Sequence, residues 1–314
     1  MTMPIASNPL PLGDTPSVSA NRELGFASPF QQTISMNDTA LRVLAGVSTI
    51  SGTSWSMSSL WGKNARRTIT ITIYGAINDF NPWTYRNGGG TNVTTSPASM
   101  YIAGVSDISV IINTGVTVGA SSTGANAFTV DTNWNGTDTI NILNSGTISG
   151  AGGNGGSGGS APAAAGTTAG AAGAAAGSAL YITRYTTIYN YSIIQVGGVG
   201  GGGGMGSTSG SIKLGFTKYG GSGGGGGAGT VVGNGGTGGT PHNYNGGAGS
   251  LSAGGGWTAT SGITATFGGN GGGPGAAGAA SAGGTYAGGA AGNYLNGSAN
   301  VSWAATGTRY GGVT

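Results

Sequence analysis

The chain has 314 residues, 72 of them glycine, with no cysteine, only 5% charged residues and a formal net charge of +3. The missing cysteine excludes a disulfide framework and thiolate metal sites, and charge this sparse makes a poor phosphate-binding surface, which argues against a nucleic-acid partner. No apolar run approaches the roughly 20 residues that span a bilayer, and the Pro/Ser-rich start lacks the apolar stretch of a signal peptide.

Residues 1–32 hold many prolines and little periodicity, which predicts an extended arm that orders against a partner. In TISMNDTALRVLAGV, Asn37 or Asp38 can cap a short helix with Leu41, Leu44 and Ala45 on one face. SWSMSSLWGK forms a second short turn, and Lys63, Arg66 and Arg67 read as a solvated turn before a strand. TITITIYGAI, residues 68–77, alternates as a half-buried strand does. MYIAGVSDISVIINTGVTVG (100–119) and DTINILNSGTISG (138–150) form a pair of repeats: strand, Asn-Thr-Gly or Asn-Ser-Gly, strand. ISVIINTGVTVG aligns with TINILNSGTISG, and TTIYNYSIIQVGG (186–198) is a weaker third copy. Short strands repeating in register suggest a β-solenoid or stacked sheet.

Composition then changes. Of the 72 glycines, 58 follow Ser145, and all seven acidic residues lie at or before Asp138. Glycine tracts are commonly linkers, but disordered tracts are charged and poor in aromatics. Here charge is nearly absent, and Tyr219, Tyr244, Trp257, Phe267, Tyr286, Tyr294, Trp303 and Tyr310 punctuate the tracts. GGNGGSGGS and GGTGGT repeat every three residues, the period of a left-handed extended helix that has no internal hydrogen bonds. Packed side by side, such helices can satisfy one another's backbone. Pure runs such as 200–204 and 223–227 then suit helices surrounded on all sides, and GGX runs suit outer ones with X facing solvent. The interruptions TPHNYN, WTATSGITATF and YAGGAAGNYLNG become turns or loops.

Two resemblances follow. Residues 34–63, ISMNDTALRVLAGVSTISGTSWSMSSLWGK, resemble a segment of tailed-bacteriophage tail proteins. The segment keeps Asn37, Asp38, Arg42, Leu44, Ala45, Gly46, Gly62 and Lys63, with an extra Thr-Ser-Trp stretch before Ser56. The glycine half resembles, in pattern, the adhesins at the tips of T-even-type long tail fibres, in which glycine motifs build a polyglycine II sandwich and variable loops contact the host receptor. The fold expected is therefore mainly β and irregular: an N-terminal arm and attachment segment with a short helix (1–66), a small β-solenoid-like neck (67–149) and a polyglycine II helix bundle (150–314).

The function expected is that of a tail-fibre adhesin binding a host receptor, with no catalysis and no cofactor or metal. GxGxxG-like matches follow from composition alone, since a dinucleotide site needs an acid downstream and none follows Asp138. His242, Tyr244, Trp257, Phe267, Tyr286 and Tyr294 are the candidate receptor contacts, because loop aromatics bring large area at low entropy cost. Expected partners are other phage tail proteins through the N-terminal region and a bacterial outer-membrane protein or surface glycan, with a homotrimer left open and no nucleic acid. The expected location is the virion tail, after synthesis in the host cytoplasm. Two alternatives stay open: a passive structural tail component, and a polysaccharide depolymerase using Asp131 and Asp138 as its carboxylate pair.

Overall fold

The computed structural model describes residues 37–45, 47, 54–56, 59, 67–96, 101, 103–104, 106–163, 166–211, 215–240, 244–250, 252–256, 267–282 and 286–314. The arm expected over 1–32 lies outside these residues, as do Gly46, Gly62, Lys63, His242 and Trp257. What is described is mostly β with little helix. The expected first helix is α1 (Thr39–Ala45): the Arg42 N–H donates to the Asp38 carbonyl at 3.0 Å, and Leu41 and Ala45 are buried.

The strands then arrive in layers. The first comprises β1 (Arg67–Ile73), β2 (Ile77–Asn78), the one-turn helix α2 (Pro82–Tyr85) and β3 (Val93–Ser96). The second is β4 (Ser106–Ile112), β5 (Thr117–Gly119) and β6 (Asn126–Val130), followed by β7 (Thr139–Asn144) and β8 (Thr147–Ser149). After a short β9 (Gly166–Thr168) come β10 (Ser178–Ile182), β11 (Thr186–Asn190) and β12 (Ile193–Gln195). A hairpin follows, β13 (Gly206–Ser211) with β14 (Gly215–Tyr219). The chain ends in β15 (Asn293–Asn296), β16 (Val301–Ala305), β17 (Thr308–Tyr310) and β18 (Gly312–Val313).

Three sheets hold most of these strands, ordered β16-β11-β7-β4-β1-β3, β17-β12-β8-β5-β2 and β18-β15-β10-β6. Their pairs are parallel apart from β1 with β3. From β4 onward the chain visits the three sheets in a fixed rotation, so each circuit lays one strand on the strand of the circuit before. In-register pairing stacks like side chains into inward ladders: Ile71, Val110, Ile142 and Ile188 in one sheet, Val118, Ile148 and Ile194 in another, and Phe128, Leu180 and Leu295 in the third. All are buried in one core, and each such side chain contributes about 1.5–3 kcal/mol by leaving water.

At one corner of the stack the ladder turns polar. Asn144 and Asn190 are fully buried. Asn144 Nδ2 donates to Asn190 Oδ1 at 2.8 Å, and Asn190 Nδ2 donates to the Thr306 carbonyl at 2.9 Å. Each Asn oxygen also takes a backbone N–H two residues on, from Gly146 and from Ser192. The amides thus satisfy the backbone where the chain leaves one sheet for the next.

Two expectations need correction here. Alignment on Asn-Thr-Gly and Asn-Ser-Gly would pair Ile108 with Thr139. Instead Ile108 pairs with Ile140, and Thr117 pairs with Thr147. Burial alternates along both strands, and a one-residue slip would turn every inward side chain to solvent, so the core sets the register and the turns absorb the length difference. The boundary drawn at 149/150 also runs through the sheets. β11 and β12 pair with β7 and β8, and β16 and β17 pair with β11 and β12. The glycine-rich runs are insertions, 150–177 and 197–292, in a β stack that resumes after each.

Those runs carry no helix or strand assignment over most of their length, yet they bond to one another at every third residue. Gly152, Gly155, Gly158 and Ala161 donate to the carbonyls of Val231, Asn234, Thr237 and Thr240. The next residues along, Gly153, Gly156 and Gly159, donate to Gly198, Gly201 and Gly204. The carbonyls of Ala151, Asn154 and Ser157 accept from Gly177, Ala174 and Ala171. A single run thus bonds in three directions. In the outer runs the third residue faces solvent, as Asn154, Ser157, Ser160, Asn234, Thr237 and Thr240 all do. The run 221–228 is bonded all round, to 153–159, 198–204, 233–239, 244–247, 255 and 269–272. A Cβ on Gly223, Gly224, Gly225, Gly226 or Gly227 would fall inside 3.0 Å of neighbouring backbone in every case. Glycine is required there because backbones pass with no room between them.

Candidate functional site

The hydrogen-bond order fixes the direction of every run. Residues 150, 177, 197 and 292 adjoin β8, β10, β12 and β15, so the near end of the glycine layer is continuous with the stack. The turns around Thr230 and Gly275 return to this end: Thr230 Oγ1 donates to the Ser149 carbonyl at 2.6 Å, and the Gly275 N–H donates to the Val196 carbonyl at 3.3 Å. The described residues at the five opposite connections, 161–163 with 166–170, 205–211 with 215–219, 240 with 244, 256 with 267, and 282 with 286, therefore lie at the far end. The first two are joined by a small antiparallel sheet, β14-β13-β9.

Three candidate aromatics fall at the margins of these connections, each anchored through its backbone. The Tyr244 carbonyl accepts from Gly223 N at 2.8 Å, and the Phe267 carbonyl accepts from Ala282 N at 2.8 Å. The Tyr286 carbonyl accepts from Ser281 N at 2.9 Å, while Tyr286 N donates to Ser281 Oγ at 3.3 Å. All three side chains are half-buried. His242 and Trp257 belong to the same connections in sequence.

Tyr294 does not belong with them. It lies on β15, is 5% exposed, and sits in the stack core beside Trp303 at a ring separation of 6.4 Å. Its hydroxyl accepts from Arg309 Nη1 at 3.1 Å. The segment expected as loop over 286–294 re-enters the sheet at Asn293, which carries this aromatic away from the far end. Conversely, 205–219 was not read as a far-end element. Its signal was available: the glycine block stops at Gly204, and Ile212, Leu214, Phe216 and Tyr219 interrupt it.

Charge is partitioned in the same sense. None of the five far-end connections contains a carboxylate, and Lys213, Lys218 and His242 fall within them. Arg184 and Arg309 return to the stack. Asp131 and Asp138, considered above as a carboxylate pair, both tie connections together. Asp138 Oδ1 accepts from Gly104 N (2.8 Å) and Ser106 N (3.1 Å), and Oδ2 from the Tyr101 hydroxyl (2.9 Å) and Asn135 N (3.1 Å). Asp131 accepts from Asn81 Nδ2, Asn133 N and Asn133 Nδ2. Burial, then the bond to Asp138, push the Tyr101 phenol well above the ordinary tyrosine range. Tyr101 also packs edge-on against Trp83 and Trp134, and the Arg86 guanidinium covers Trp83 at 3.7 Å. This cluster closes the flank of the stack around α2, whose first turn is capped by Asn81 Oδ1 on Trp83 N.

Comparison with known proteins points one way. The family described as phage tail fibre adhesin Gp38 matches residues 51–314. Among solved structures the fold is similar to the crystal structure of the gp37–gp38 adhesin tip complex of the bacteriophage S16 long tail fiber, with a TM-score of 0.53 and 23% identity over 87% of this chain and 91% of that one. No curated protein sequence matches the chain.

Proposed function

The chain belongs to the phage tail fibre adhesin Gp38 family, and from that premise we propose that its far-end connections are the surface that binds a receptor on the host bacterium during adsorption. The observation that carries this reading is that the described residues flanking all five connections lie at one end of a layer whose interior offers only backbone already hydrogen-bonded. Such an interior cannot discriminate receptors, so specificity falls to the connections, held on a rigid scaffold. Tyr244, Phe267 and Tyr286, with His242 and Trp257, are the anchors proposed.

In this reading the β stack is a short solenoid acting as a neck, and the glycine runs are a polyglycine II bundle. The three-residue bonding period and the solvent-facing third residues support the second assignment. The neck then comprises 67–149, 178–195 and 293–314, with the bundle inserted between. Residues 1–66 make the attachment to another tail fibre protein, by analogy with the gp37–gp38 complex whose fold is shared. The protein is a component of the virion tail, made in the host cytoplasm.

The test uses the full chain. Fluorescently labelled protein binds host cells saturably and competes with phage adsorption. Tyr244→Ala and Trp257→Ala each weaken cell binding about 30-fold, the loss of roughly 2 kcal/mol typical of a hot-spot aromatic, with an unchanged melting profile. Undiminished binding by variants of all five anchors would move the receptor site elsewhere.

A further inference from the structure

The flank of the β stack carries a pocket of about 220 Å³ that no part of the adhesin reading uses. It is built from the same corner of three successive circuits. Asn135 and Asp138 come from the connection between β6 and β7, Thr183, Arg184 and Tyr185 join β10 to β11, and Asn300 comes from the 3-10 turn between β15 and β16. Arg184 Nη2 makes only a long bond, 3.4 Å, to the Thr132 carbonyl. The carboxylate that lines the same pocket, Asp138, already takes two donors on each oxygen.

The neighbouring groups form a complementary set. Asn135 Oδ1 is occupied by Thr137 N and Oγ1, which leaves its amide nitrogen to donate. Asn300 Nδ2 donates to the Ile182 carbonyl at 3.1 Å, which leaves its oxygen to accept. Tyr185 is 66% exposed and offers a ring face at the rim. Donors, an acceptor and an aromatic face around a small polar hollow match a polyhydroxylated ring, whose hydroxyls both give and receive bonds and whose C–H face stacks on an aromatic. We infer that this pocket binds one neutral pyranose unit. Arg184 and the Asn135 amide donate to ring hydroxyl oxygens, Asn300 accepts from a hydroxyl, and Tyr185 covers one face. The ring is neutral because the Asp138 carboxylate lines the same pocket and would repel an anion.

The experiment is saturation-transfer NMR on the full chain with methyl β-D-glucopyranoside, methyl β-D-galactopyranoside and methyl β-D-glucuronide. Saturable binding of at least one neutral glycoside, with a Kd of about 1 mM as suits one ring, is expected. Arg184→Met and Tyr185→Ala each weaken it about tenfold or more with unchanged melting; the second, at an exposed site, tests the proposal even if the first disturbs folding. Absence of saturable binding by both neutral glycosides, wild-type affinity in Tyr185→Ala, or tenfold tighter binding of the glucuronide overturns it. No host cell enters this assay, so its failure leaves the far-end reading standing.

Discussion

Gly225→Ala adds a single methyl group at the centre of the glycine layer. The new Cβ would lie inside 3.0 Å of Gly255 O, Gly255 C and Gly271 N, all of them backbone. No flexible side chain is there to yield, so the runs must separate by ~1 Å or more to reach ordinary contact. That separation breaks the bonds from Gly271 N to Gly255 O (2.9 Å), Gly255 N to Gly226 O (2.7 Å) and Gly225 N to Gly269 O (2.9 Å). Three buried donors left unpaired at roughly 1–3 kcal/mol each cost about 3–9 kcal/mol. A folded domain holds about 5–15 kcal/mol in total. The variant is therefore expected to lose the ordered layer, read as rapid amide exchange across 197–292 and a large fall in melting temperature. Ser157→Ala, at an exposed third position with no side-chain hydrogen bond, should stay within about 0.5 kcal/mol of the parent. Asn154 is a poorer control than its exposure suggests, since its Oδ1 accepts from Asn234 N at 2.9 Å. A Gly225→Ala protein that melts within a few degrees of the parent would refute close packing as the reason for glycine.

Asn190→Ala removes the middle of the buried amide ladder, leaving the Thr306 carbonyl and one Asn144 bond unmade; chemical denaturation should show a loss of about 2–4 kcal/mol. Tyr101 has a raised folded-state pKa, from burial first and from Asp138 second. Its contribution is fully present below the unfolded tyrosine value near pH 10 and is lost as pH climbs through the higher folded value. Titration of stability should therefore fall above about pH 10, and less steeply in Tyr101→Phe. Tyr294→Ala, which empties a core site, should cost about 3–5 kcal/mol while the surviving folded fraction binds cells normally.

Much of this fold could be read from the sequence because local rules govern it. GGX and GGG differ in what faces outward, and the structure keeps that difference residue by residue, from exposed Ser157 to buried Gly225. The alternation in TITITIYGAI likewise becomes the buried and half-buried faces of β1. What was lost depends on distance. Val301 pairs with Thr186 and Thr308 with Ile193, more than a hundred residues apart, and no local pattern in VSWAATGTRY announces that return. Tyr294 was misread for the same reason, since a Tyr within Gly-Asn-Tyr-Leu-Asn-Gly looks like a loop until its sheet is known. The carbohydrate pocket was invisible because its residues come from three circuits, brought to one corner by register alone.

In this molecule the glycine layer is proposed to hold the far-end connections rigid so that they, and not it, meet the receptor. Amide exchange on the full-length protein, free and bound to host cells, tests this most directly. Slow exchange is expected through 150–160, 197–204 and 220–228 in both states, with new protection on binding confined to 161–170, 205–219, 240–244, 257–267 and 282–286. Saturable cell binding that leaves exchange in all five connections unchanged would contradict it.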